Sequence, residues 1–149
     1  RRMIVLASED IGNAEPSALT MAVSAFTAIR YIGMPEGALI LAQTATYLAS
    51  CPKSNSSYKA IKSAMSDAET LPPYNVPVHL RNAPTGLMKN LGYGADYEYP
   101  HDFDEHISAQ NYMPEELKEK VYYNPTSLGK EKELSEYLDK VRKLRRNST

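Results

Sequence analysis

Residues 1–12 read RRMIVLASEDIG, and whether they form a strand or a helix decides the fold. An apolar run from Met3 to Ala7 leads within two positions to Glu9 and Asp10. On a strand, that order presents carboxylates to magnesium, as nucleotide-hydrolysing sites do. Such a site also needs a glycine-rich loop whose backbone N–H groups cradle phosphate. The one Gly-Lys pair, Gly129-Lys130, is followed by Glu131 and has no glycine at the required upstream spacing. Gly92-Tyr93-Gly94 lacks a third glycine and follows a helical pattern rather than a strand. The helix is the better reading: Met3, Ile4, Ala7 and Ile11 share a face at near-helical spacing, and Gly12 is placed to end it. Arg1 and Arg2 at its start and Glu9 and Asp10 at its end oppose the helix dipole, each by about 0.3–1 kcal/mol. Either the helix begins upstream of Arg1, or the acids pair with cations such as Arg30, Lys53 or Arg81. A chain opening on Arg-Arg without Met is expected to be a piece of a longer protein.

Beyond this opening the helical period continues. Leu19, Ala22, Val23, Phe26 and Ile29 recur at three- and four-residue steps, with Pro16 in the first turn and Gly33 at the end. Pro35 starts another helix, which stops near Ser50 before Pro52. Its Ala38, Ala42, Ala45 and Ala49 form a small-residue ridge, so this helix is expected to be buried and packed on several sides, with the ridge also a candidate interface between subunits. Ser54 to Ser57 offer N-caps to a third helix whose inner face is Tyr58, Ile61, Met65 and Ala68.

The texture then changes. In LPPYNVP, residues 71–77, each residue before a proline is pushed to extended backbone. A short helix is expected around Pro84 to Leu91, ended by Gly92. From Tyr93 to Met113 no period is visible, but Tyr93, Tyr97, Tyr99 and Tyr112 can each bury about 150–250 Å² and hydrogen-bond through the hydroxyl. The stretch therefore reads as an ordered strap, with room for a short β-hairpin. A last helix follows Asn124-Pro125, with Leu134, Tyr137, Leu138, Val141 and Leu144 along one face. The expectation is a mainly α, compact helical array with a Tyr- and Pro-rich strap: one domain over 1–149, divided into a helical array (1–70), connector and strap (71–123) and terminal helix (124–149).

At 149 residues the chain is long enough for a real core, and 42% hydrophobic with 23% charged is ordinary globular composition. A net charge of −1 lacks the basic excess of a chain devoted to wrapping nucleic acid. No apolar run approaches the roughly 18 residues of a membrane span, and no signal peptide is expected before the fold. Cys51 stands alone, which suits a reducing, cytoplasmic setting, and it reads as a small hydrophobe near a helix end.

Two clusters carry chemistry. His101, Asp102 and His106, with Asp104 and Glu105, are the candidate metal ligands, since imidazoles and carboxylates together suit zinc or a similar ion. Local hydrogen bonding and an acidic partner surface are the competing readings, because the five acids between Tyr93 and His106 face no Lys or Arg in that stretch. The terminal helix is the basic pole: Lys130 to Arg146 holds seven Lys or Arg against four Asp or Glu, a net +3. A mixed solvated face is the ordinary reading. Contact with DNA or another partner through Lys140, Arg142, Lys143, Arg145 and Arg146 is the sharper one.

RRMIVLASEDIGNAEP, then IGMPEGALILAQTATYLASCPKSN, HLRNAPTGLMKNLGYGADYEYPHDF and YMPEELKEKVYYNPT, in this order, resemble the C-terminal region of the MgsA/RarA family. These are AAA+ ATPases related to clamp-loader subunits, with the Werner-helicase-interacting protein as eukaryotic relative. From Lys130 onward the match is loose. The resemblance implies a clamp-loader-collar-like fold, with the ATPase core, its P-loop, ATP and magnesium upstream of these residues. It implies a region that supports tetramer formation. The parent is expected to be a DNA-stimulated ATPase at stalled or damaged replication forks, associated with single-strand-binding protein, cytoplasmic and nucleoid-associated in bacteria, without membrane contact. No catalytic or cofactor-binding residue is carried over. The alternatives are a self-contained metal-binding or enzymatic domain on the His101–His106 strap, or a DNA-contact module on the basic helix.

Overall fold

The opening segment is helical but not uniform. In this computed structural model, which describes residues 1–146 and leaves the Arg146 side chain outside the described residues, α1 (Arg2–Leu6) runs into a π-helical turn, Ala7–Ile11, and then a 3-10 turn, Gly12–Ala14. The expected inner face holds: Ala7 and Ile11 are buried, and Met3 and Ile4 pack against them. The widened π turn re-aims the chain so that Gly12, at φ +52°, lies against the Ser54 backbone; a Cβ there would stand 2.8 Å from Ser54 O. The remaining helices are α2 (Ser17–Ile32), α3 (Gly37–Ser50), α4 (Ser56–Thr70), α5 (Gly86–Asn90) and α6 (Glu131–Arg146). The fold is mainly α, with no strand among the described residues.

Among the described residues the chain divides into two compact units, residues 1–67 with 122–137, and residues 68–121 with 138–146. In the first unit, α2 and α3 pack on each other and on the opening segment. Its core is Ala7, Ile11, Ala18, Ala22 and Leu48, with Leu6, Tyr47 and Cys51 beside it. The face that α2 buries matches the expected one only in part: Ala22 is buried and Ile29 half-buried as expected. Ala18, Ala22 and Ala25 point inward, whereas Leu19, Val23 and Phe26 lie outward and exposed. Close approach explains the inversion: where two backbones touch, alanine fits and leucine does not, so the bulky members of the apolar stripe are displaced to the other side. In α4, Ile61 and Met65 are likewise exposed, and Ala60, Ala64 and Asp67 are half-buried.

In the second unit, the proline connector has no helix or strand from Pro72 to Pro77, and Arg81 Nε donates to Val76 O at 2.7 Å. The Thr85 hydroxyl accepts from Met88 N and caps α5, and Gly92 follows at φ +78°. The strap is ordered by short 3-10 turns, Pro100–Asp102, Asp104–His106 and Glu115–Leu117. The hairpin that the strap had room for is absent among the described residues. The Gln110 side chain accepts from Glu98 N at 3.2 Å and donates to Glu98 O at 2.6 Å, using both groups that a neighbouring strand would pair. Tyr112 OH meets Ser108 and Gln110, as the ordering role of the tyrosines required, but Tyr97 and Tyr99 remain exposed.

Candidate functional site

Side-chain placement in α3 (GALILAQTATYLAS) leaves a broad apolar surface open. Its inward positions are Gly37, Thr44 and Leu48, with Ile40 and Tyr47 half-buried. Thr44 satisfies its hydroxyl by donating to Ile40 O, so a polar residue sits inside at no hydrogen-bonding cost. The expected burial on several sides does not occur: Ala38, Ala42, Ala45 and Ala49 are all exposed, beside Leu39 and Leu41. The ridge is therefore not consumed by packing within the chain. Leu39 is 75% exposed and Met34, in the turn before α3, 67%. Gln43, Thr46 and Ser50 are exposed as well, so the open side is uncharged rather than wholly apolar. On α2, Leu19, Val23 and Phe26 add to the exposed apolar residues of this unit, with the Arg30 guanidinium 5.9 Å from the Phe26 ring centre.

A buried acid, which sequence reasoning missed, ties this unit together. Glu131 opens α6 and is fully buried. Its carboxylate accepts from Ser54 Oγ at 2.6 Å, from Thr126 N at 2.7 Å, and from Thr126 Oγ1 and Tyr123 OH at 2.8 Å each. Asn13 Nδ2 donates onward to Tyr123 OH at 3.0 Å, and Ser54 Oγ accepts from Ser56 N. Burial alone pushes the carboxyl upward, but the donors from Ser54, Thr126 and Tyr123 outweigh it and hold Glu131 below its ordinary value. Burial and the adjacent carboxylate push the Tyr123 phenol above its own. The only advance signal was Gly129 two residues before the acid. Gly129 has φ +53°, Lys130 N donates to Ala14 O at 2.9 Å, and a Gly129 Cβ would lie 2.1 Å from that same oxygen.

Lys62 on α4, whose ammonium lies 4.8 Å from the Tyr58 ring centre, is held above its ordinary value by Tyr58 first and, less, by attraction to Glu9. In the second unit, His101 and His106 do come together, with ring centres 4.8 Å apart. Among the described residues no group of three or more His, Cys, Asp or Glu side chains converges to hold a metal. The candidate basic contacts are engaged nearby. Lys140 pairs with Glu105 at 2.5 Å, Arg142 lies 3.7 Å from Asp139, and the Arg145 guanidinium sits 5.1 Å from the Tyr112 ring centre. Lys143 is exposed, and Leu134, Tyr137 and Leu144, expected on the covered face of α6, are exposed too. Leu138 and Val141 are half-buried as that face required. Among the described residues no helix is long and apolar enough to cross a membrane.

A family model described as "MgsA AAA+ ATPase C terminal" matches residues 1–142, so the likeness runs past Lys130 and ends before Lys143, Arg145 and Arg146. Replication-associated recombination protein A of Haemophilus influenzae is 46% identical over 143 residues, covering 95% of this chain and 32% of that protein. The protein of the same name in Escherichia coli K12 is 46% identical over 93% of this chain and 31% of its own length. ATPase WRNIP1 of Dictyostelium discoideum is 46% identical over 83% of this chain and 14% of its own length. The chain thus spans about a third of the bacterial relatives' length.

Proposed function

We propose, from the premise that this chain belongs to the MgsA AAA+ ATPase C-terminal family, that it is the non-catalytic assembly domain of a AAA+ ATPase. Its role is to bring ATPase copies together, as a homotetramer, while ATP and magnesium bind in the remaining part of the polypeptide. The names of the relatives support a parent that acts in replication-associated recombination. On this reading the parent works on DNA at replication forks, in the cytoplasm, alongside single-strand-binding protein.

The observation that carries the assembly role is the inverted distribution of side-chain size: alanines pack inside the first unit while Leu19, Phe26, Leu39, Ile61 and Met65 face outward. Exposed apolar residues on neighbouring helices support an interaction surface here. Light scattering coupled to size exclusion, at tens of micromolar protein, tests it: a mass near four times 16.6 kDa is expected, and 16.6 kDa at every concentration removes the reading. Calorimetry with ATP and magnesium tests the non-catalytic part. No saturable heat is expected, because no phosphate cradle accompanies the acids; micromolar binding contradicts it.

A further inference from the structure

We propose that the outward face of α3 packs against the same face of a second copy of this chain, the two helices running antiparallel about a twofold axis. This rests on the assembly reading above and assigns the surface that carries it. Three observations lead there. From Gly37 to Ser50 there is no charged residue; the exposed positions are Ala38, Leu39, Leu41, Ala42, Ala45 and Ala49, with the uncharged polar Gln43, Thr46 and Ser50 among them, and the Thr46 and Ser50 hydroxyls donate to carbonyls of their own helix. A partner surface bearing charge would be dehydrated against this face with no opposite charge on the helix to pair with. A second copy brings an equally uncharged face, with small side chains that admit a close backbone and leucines that fill the grooves.

The charges that do exist stand at the two ends. Glu36 is the N-cap residue of α3, and Lys53 lies two residues past its C-cap, Cys51; both are exposed. Parallel pairing would set Glu36 beside Glu36 and Lys53 beside Lys53. Antiparallel pairing sets each Glu36 against the partner's Lys53, at both ends of a helix about 21 Å long, and also opposes the two helix dipoles. A twofold contact of this kind uses one patch twice and closes on itself.

The test uses the 149-residue chain and reads its solution mass, with helical circular dichroism and thermal unfolding as folding controls. Leu39→Asp places a charge at the exposed face and is expected to lower the assembly mass at least twofold without loss of helix. Glu36→Lys and Lys53→Glu are each expected to weaken association by about threefold or more at low salt, a scale set by two symmetry-related exposed ion pairs. The double variant Glu36→Lys/Lys53→Glu is expected to restore it. A mass unmoved by Leu39→Asp, or a double variant no better than either single one, overturns the antiparallel α3 contact while self-association stands. A wild-type chain that never exceeds 16.6 kDa overturns both.

Discussion

Ser54 Oγ donates to the Glu131 carboxylate at 2.6 Å across 77 residues of sequence. That bond, with those from Thr126 and Tyr123, fastens the start of α6 to the turn before α4. Glu131→Ala leaves Ser54, Tyr123 and the Thr126 N–H and hydroxyl without their acceptor. At about 1–3 kcal/mol per buried unsatisfied group, partly relieved by water, the loss should reach roughly 3 kcal/mol. The melting temperature should fall by about 6–12 °C at this chain length. A fall under about 2 °C, read by circular dichroism, contradicts the role given to this acid.

The same carboxylate predicts an acid response. Its folded pKa lies below the ordinary 4.5, so its contribution is complete above that value and is lost as pH falls through the folded pKa. Thermal unfolding followed from pH 6 down to about pH 3 should show wild type losing stability with acid more steeply than Glu131→Gln. Parallel curves for the two proteins contradict the assignment.

Gly129→Ala tests the close passage of backbone over backbone. The variant meets a left-handed φ of +53° and a carbonyl 2.1 Å from the new Cβ, neither of which a side chain can relieve by turning. A loss of about 2 kcal/mol or more is expected. Denaturant unfolding measures it, and an unchanged midpoint would show that the 129–130 turn is free to move.

The inverted helix faces make a paired prediction. Ala22→Leu forces a branched side chain into the core of the first unit and should cost about 1–3 kcal/mol. Val23→Ala, one residue on, trims a half-exposed side chain and should change the stability of the single chain by less than about 1 kcal/mol. Equal effects, measured under conditions where the chain is monomeric, would contradict the burial of Ala22 and the exposure of Val23.

Much of the helical layout was legible. Pro16, Gly33, Pro52 and Gly92 bracket α2, α3 and α5 because proline and glycine act through local backbone geometry. What could not be read was which side of each helix faces in. In α2 and α3, apolar residues occur on both sides, and periodicity weighs Leu19 and Ala18 by hydropathy alone, whereas packing selects by size. The Glu131 network was illegible for another reason. Asn13, Ser54 and Tyr123 are polar residues far apart in sequence, and only the folded backbone brings them to one carboxylate. His101 and His106 lie with ring centres 4.8 Å apart, but Glu105, in a turn where it and His106 have positive φ, pairs with Lys140, a partner 35 residues on that local spacing did not reveal.

Sedimentation equilibrium across a concentration series reports mass independently of shape, and so tests most directly the claim that this chain is an assembly domain. The account predicts a mass rising well above 16.6 kDa as concentration increases, toward four copies. A single species of 16.6 kDa from about 1 to 100 µM, a range centred on the micromolar affinities of stable interfaces, would contradict it.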